Sequence, residues 1–202
     1  MGQVDTLFSN CVFLKSAAAF EQLPRDSKPE VAFAGRSNVG KSSLINKLTG
    51  QRHLAKTSNT PGRTQLLNYF TLNERAYLVD MPGYGYAKAP KAMVAEWTRL
   101  IETYLRDRLT LKRVFLLIDA RHGVKDSDEL TMKFLESFAI SYQPVLTKLD
   151  KLNIKEQSEI LGLVEESLKK RVGAFPHIIA TSAETGEGMP ALRAAVVEAL
   201  GL

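Results

Sequence analysis

The chain has 202 residues, 45% hydrophobic and 24% charged, a balance that excludes general disorder and suits one α/β domain. One cysteine, Cys11, excludes an internal disulfide and a Cys-rich metal site, and no apolar run approaches the roughly 18 residues of a membrane span. The net charge of +5 fits an RNA partner without requiring one.

Residues 1–28 read as an extension packed on a single domain spanning 29–202. Met1–Thr6 matches a loose myristoylation pattern, but no second membrane signal follows, so no membrane partner is expected. Cys11-Val12-Phe13-Leu14 is apolar, which predicts a short strand near Cys11–Lys15 and a buried, unreactive thiol. Val31–Ala34 reads as a strand and Lys41–Thr49 as a helix. Gln51–Arg63 follows as a long polar loop, of the kind that is usually functional. Strands are predicted next at Leu66–Leu72 and Ala76–Asp80, then a helix at Ala92–Arg106 and a strand at Val114–Asp119. The pattern continues with a helix at Ser127–Phe138, a strand at Pro144–Thr147, a helix at Lys155–Val172 and a strand at His177–Thr181. A helix over Met189–Leu200 closes the chain, with Leu192, Val196 and Leu200 at helical spacing as core contacts. This alternation predicts a three-layer α/β/α sandwich around a mostly parallel sheet.

Between the first strand and helix of that domain, Gly35-Arg36-Ser37-Asn38-Val39-Gly40-Lys41-Ser42 fits the phosphate-binding loop G-x-x-x-x-G-K-[ST]. Its glycines let backbone N–H groups turn around phosphate oxygens, and the helix N-terminus adds its positive dipole end. Lys41 is placed between β- and γ-phosphates, and the Ser42 hydroxyl is a Mg²⁺ ligand. Thr147-Lys148-Leu149-Asp150 resembles the [NT]-K-x-D element that selects guanine. Its carboxylate can accept from N1–H and N2–H₂, a donor pair that adenine lacks. The Lys148 stem can lie against the base. Thr147 stands where Asn is commoner, and a looser loop is expected there. Thr181-Ser182-Ala183 ends the last strand and resembles the S-A element that meets guanine O6.

Asp80-Met81-Pro82-Gly83 resembles D-x-x-G, in which the Asp holds Mg²⁺ through water and the Gly N–H meets the γ-phosphate. A threonine that senses the γ-phosphate and reaches Mg²⁺ is needed before it. Thr57, Thr60 and Thr64 are candidates. Thr64, within Gly62-Arg63-Thr64-Gln65-Leu66, is favoured by its place just before the next strand, and Thr60 is second. Lys41, Thr64, Gly83 and Asn38 are the residues assigned to hydrolysis.

Gly35–Ser43 as GRSNVGKSS, Thr60–Gln65 as TPGRTQ, Asp80–Ala87 as DMPGYGYA and Thr147–Asp150 as TKLD closely resemble the EngB (YihA/YsxC) GTPases. Those are bacterial GTP-binding proteins of ribosome biogenesis, also linked to normal septation in cell division. The resemblance covers nearly the whole chain. It implies a single GTPase domain, Mg²⁺ dependence and a role in assembling the large ribosomal subunit, with rRNA or ribosomal protein as partner. A monomer is expected, and the lone cysteine together with the lack of a targeting signal points to the cytoplasm.

Signalling GTPases place Gln directly after D-x-x-G to orient water. Here that place is Tyr84, so slow intrinsic turnover is expected. Asn38 resembles the loop Asn of GTPases that use K⁺ beside the phosphates, and equally suits a residue that only stabilises its turn. Arg36 and Arg63 are not assigned as arginine fingers. Arg106, Arg108, Lys112, Arg113 and Lys169-Lys170-Arg171 are the cations that could meet RNA phosphates, each weighed against an ordinary solvated face. Other readings are a septum-associated or signalling GTPase with a protein target, a P-loop kinase or ATPase, and a nucleotide sensor without hydrolysis. Thr147–Asp150 argues against the kinase or ATPase.

Overall fold

Side-chain alternation along the strands divides the molecule into two cores. In β5 (Leu111–Asp119), Val114, Leu116 and Ile118 enter one core while Phe115 and Leu117 enter the other. The structure, a computed structural model, describes residues 3–55, 66–84 and 91–202. The remaining strands are β1 (Cys11–Ala17), β2 (Glu30–Gly35), β3 (Leu67–Leu72), β4 (Ala76–Asp80), β6 (Tyr142–Thr147) and β7 (Ile179–Ala180). They form a seven-stranded sheet in the order β1-β3-β4-β2-β5-β6-β7. β3 is antiparallel to both β1 and β4, and every other pairing is parallel.

Helices α3 (Lys91–Asp107), α4 (Asp126–Ser137) and α5 (Ile154–Leu168) cover the first core, contributing Leu100, Tyr104, Met132, Leu135 and Val164. Helices α1 (Gln3–Ser9), α2 (Lys41–Thr49) and α6 (Met189–Leu200) cover the second, through Phe8, Leu44, Leu48, Leu192 and Val196. The result is the expected three-layer α/β/α sandwich. All the parallel strands end at one sheet edge, where Asp80, Asp119, Thr147 and the turn after Ala180 gather around the loop after Gly35.

Several elements depart from the sequence reading. α1 was not expected; seven residues give too short a stretch for helical periodicity, yet it buries Leu7 and Phe8. β1 runs to Ala17 because its pairing with β3 continues through Ser16 and Ala17. Its Val12, Phe13 and Leu14 are exposed, with Phe13 edge-on to Phe70 at 5.7 Å between ring centroids. Cys11 is buried, and burial pushes its thiol up to about 12. α5 opens on a capping box in which Asn153 Oδ1 accepts from Glu156 N at 3.0 Å and Asn153 N donates to Glu156 Oε2 at 2.8 Å. It stops at Leu168, not Val172, because the chain must turn so that Gly173 O can accept from Tyr142 N at 2.9 Å. β7 is shorter than predicted, since the His177 carbonyl is taken by the Gln143 side chain at 3.1 Å.

At the sheet edge opposite the gathered strand ends, Glu30 is fully buried and paired with Arg108. Arg108 Nη2 lies 2.8 Å and Nε 3.0 Å from Glu30 Oε2, and Arg108 Nη1 donates to Pro24 O at 2.7 Å. Tyr69 OH donates to Glu30 Oε1 at 3.2 Å. Arg108 therefore holds the fold together and does not present itself to RNA. The same correction applies to Arg113, which is buried, contacts Gln143 Oε1 at 3.0 Å and lies 3.8 Å over the Phe175 ring. It applies also to Arg171, which is paired with Glu136 at 3.4 Å and Glu129 at 3.5 Å. Of the cations proposed for RNA, Arg106, Lys112, Lys169 and Lys170 are exposed.

Candidate nucleotide site

The loop after β2 is built by two left-handed residues. Asn38 has φ 62° and Gly40 φ 100°, and Lys41 then opens α2. Asn tolerates this region because its side chain is short and polar, so Asn38 suits the turn. Gly35 is required for packing, because a Cβ there would stand 2.8 Å from Val39 Cγ1 and 3.0 Å from Leu117 Cβ. Val39 is buried, and Ser42 is half-buried in the first turn of α2. Lys41 Nζ is ion-paired with Asp80 Oδ1 at the end of β4. The sheet has thus brought together the two groups that the motifs assign to phosphate and to metal.

The chain leaving β4 closes over this loop. Met81 N donates to Phe33 O at 3.0 Å, and Met81 and Pro82 are buried. Tyr84 and Arg36 form a parallel bridge, with Ser37 N donating to Tyr84 O at 3.2 Å and Tyr84 N to Gly35 O at 3.3 Å. Gly83 faces Ser37 so closely that a Cβ would lie 2.9 Å from Ser37 Oγ. Ser37 Oγ is itself buried without a hydrogen-bond partner among the described residues, a polar group left for a ligand in a cradle that Gly83 keeps open. Among the described residues no group of three or more His, Cys, Asp or Glu could hold a metal. Ser42 and Asp80, the residues the motifs assign to Mg²⁺, offer oxygen donors of the hard kind that suits this ion.

Tyr84, which stands where the glutamine is expected, is bonded to α4. Its hydroxyl donates to Asp128 Oδ1 at 2.9 Å, on α4, and burial against that carboxylate pushes the phenol well above its ordinary value. Asp128 is fully buried, and burial raises its carboxyl despite the Lys125 N–H at 2.9 Å and the Tyr84 hydroxyl. Arg36 Nε comes within 3.3 Å of Asp128 Oδ1, close enough to attract but not aligned as a hydrogen bond. Arg36 is thus directed toward Asp128 on α4.

The base motif is bonded to the phosphate loop. Thr147, buried at the end of β6, donates from Oγ1 to Val39 O at 2.7 Å. The expected loosening does not occur: the hydroxyl fastens the two loops together. Lys148 has φ 61° and donates from Nζ to Asn38 O at 2.6 Å and to Asp119 Oδ2 at 2.8 Å. Leu149 is buried, with its N–H on Thr181 O at 3.1 Å. Asp150 Oδ1 accepts from Ser182 Oγ at 2.6 Å, and Asp150 Oδ2 lies 2.9 Å from Lys151 Nζ. Those two bonds hold its carboxyl below the usual range. Thr181 is anchored through Oγ1 to Leu146 O at 2.7 Å, and half-buried Ala183 follows it. Gly188 (φ 73°) lies below this turn, where a Cβ would meet Ala180 O at 2.0 Å.

Gly62, Arg63, Thr64 and Gln65 lie outside the described residues, as do Thr57, Thr60 and Gly85–Ala87. Leu66 is half-buried just before β3. Asp119 was missed by the sequence reading, although it ends a predicted strand, because its partner Lys148 reaches it only through the β5–β6 pairing.

A phosphate loop after a central parallel strand, with a T-K-L-D loop bonded onto it, defines a P-loop GTPase. A family model described as "50S ribosome-binding GTPase" matches residues 30–151. The chain is 55% identical over 198 residues to a "Probable GTP-binding protein EngB" of Chelativorans sp. (strain BNC1), covering 94% of this chain and 88% of that protein. It is 53% identical over 186 residues to the protein of the same description from Roseobacter denitrificans, covering 92% and 86%. A crystal structure of a probable GTP-binding protein engB superposes with a TM-score of 0.64 at 26% identity, over 85% of this chain and 98% of that one. The chain belongs to the EngB family of GTP-binding proteins. Among its described residues no helix is long and apolar enough to cross a membrane.

Proposed function

We propose that the protein binds GTP with Mg²⁺, hydrolyses it slowly to GDP and phosphate, and acts as a nucleotide-dependent switch in assembly of the large ribosomal subunit. The observation that carries the GTP reading is the pair of bonds from Thr147 and Lys148 to the Val39 and Asn38 carbonyls, which fix a guanine-selecting loop on a phosphate loop. The ribosomal reading is supported by the family model's description, and a role in septation by the family resemblance.

In this reading Lys41 exchanges Asp80 for the β- and γ-phosphates. Asp80 and Ser42 would hold the metal, which would supply neutralisation of charge on the phosphates. Thr64 and the Gly83 N–H sense the γ-phosphate, and Gly62–Leu66 with Gly83–Ala87 form the responsive surface. Asp150 accepts the guanine N–H groups, the Lys148 stem lies along the base, and the Ala183 N–H faces O6.

Tyr84 anchors the chain after Asp80 and does not orient water. Tyr84→Phe is expected to leave GTP turnover within about threefold of the parent. The same change costs about 1–3 kcal/mol of stability, because Asp128 loses a buried donor. Single-turnover kinetics and denaturant unfolding measure the two, and a large loss of turnover would return Tyr84 to the chemistry. Run in K⁺ and Na⁺ buffers of equal ionic strength, the kinetics also test Asn38: equal rates leave it a turn residue alone.

The ribosomal reading is tested by co-sedimentation with purified subunits in a non-hydrolysable GTP analogue, in GDP and without nucleotide. Retention on the large subunit that depends on the analogue is the expected result. No retention in any state, with GTP binding intact, overturns the assembly role and favours a protein target.

A further inference from the structure

One cation joins the base half of the site to the phosphate half. Lys148 Nζ bonds the Asn38 carbonyl at 2.6 Å, and the Lys148 stem passes 3.5 Å from where a Cβ on Gly40 would stand. A lysine side chain has much rotamer freedom to lose, so a single carbonyl is a weak restraint on it. The second restraint is Asp119. It ends β5 opposite Thr147 in the β5–β6 ladder and is only 4% exposed. The sheet, not a loop, therefore sets its position.

Among the described residues, every bond to this carboxylate comes from Arg121 or Lys148. Oδ1 accepts from Arg121 N at 3.1 Å and Arg121 Nε at 2.9 Å. Oδ2 accepts from Arg121 Nη2 at 2.8 Å and Lys148 Nζ at 2.8 Å. Burial opposes its ionisation, but the Arg121 and Lys148 bonds outweigh burial and hold it well below the usual carboxylate range. Asp119 thus carries a full charge facing the Lys148 ammonium, which makes their bond the strong, charge-assisted kind.

We infer that Asp119 is a positioning residue for guanine nucleotide: it fixes Lys148 across the phosphate loop, so that base recognition and loop shape depend on one buried carboxylate. This rests on the guanine-nucleotide reading above. Asp119 touches no nucleotide in this scheme and acts through Lys148. Arg121, with its side chain 41% exposed, holds the far side of the carboxylate.

The test is a double-mutant cycle read as GDP affinity by fluorescence of a labelled nucleotide. Asp119→Asn keeps an oxygen for the Arg121 backbone N–H, so the turn is retained while the charge is lost. Asp119→Asn is expected to weaken GDP binding about tenfold, the size of one charge-assisted bond. In a Lys148→Ala background the same change is expected to add nothing. Arg121→Ala removes a partner of the same carboxylate without touching Lys148, and is expected to cost less than about threefold. A purely structural Asp119 would instead lose affinity equally with Asp119→Asn and Arg121→Ala. Additive losses of Asp119→Asn and Lys148→Ala, or no loss with Asp119→Asn, overturn the inference. Failure of the parent protein to bind GDP at all would overturn the guanine-nucleotide reading instead.

Discussion

Asp150→Asn is expected to lower GTP affinity by about 10³-fold and to shift preference toward xanthosine triphosphate, because a site built to pair N–H groups rejects a mismatched ligand strongly. The geometry explains the direction. Ser182 Oγ donates to Asp150 Oδ1 at 2.6 Å, so an asparagine would keep its oxygen there and turn its NH₂ outward. That NH₂ opposes the N2–H₂ of guanine but can donate to the C2 carbonyl of xanthine. Competition of the two triphosphates against a labelled nucleotide reads the shift. Retained guanine preference would remove Asp150 from base recognition.

The second large effect concerns the opposite edge of the sheet. Arg108→Ala leaves the fully buried Glu30 carboxylate without its cation, which is expected to cost about 3–5 kcal/mol. For a chain of this size that corresponds to a fall in Tm of roughly 6–20 °C. Replacing both partners by Met should recover most of the loss, because no charge then remains buried. Thermal and denaturant unfolding of the single and double variants measure both statements. An Arg108→Ala protein within about 1 kcal/mol of the parent would contradict the description of this pair as buried and interdependent.

Both predictions concern bonds between residues far apart in the chain, and that distance marks what was readable in the sequence. The loop from Gly35 to Ser42, the Asp80–Gly83 turn and Thr147–Asp150 were legible because each is a local pattern whose spacing is set by backbone geometry. The apolar run from Val114 to Ile118 announced a strand, and the structure buries it on both faces. Asp119 was not legible as part of the site, since its link to Lys148 spans 29 positions and depends on the β5–β6 register. Arg108 and Arg113 looked like surface cations for the same reason. Their partners Glu30 and Glu198 lie 78 and 85 positions away. Tyr84 was recognised as a departure from the glutamine pattern, but its role required Asp128, 44 positions on. Local chemistry names the motifs, whereas cross-chain pairing decides which charges are free to act.

The bond from Lys148 to Asn38 spans 110 positions and that from Thr147 to Val39 spans 108. Chains are made from the N-terminus, so the phosphate loop is synthesised long before either of its fasteners. Strand β2 also lacks its neighbour β5 until residue 119 has been added. A growing chain halted before Thr147 therefore carries the whole phosphate motif and neither bond that joins it to the base loop. In the proposed reading the base half is finished later still, once Ser182 follows β7 and donates to Asp150.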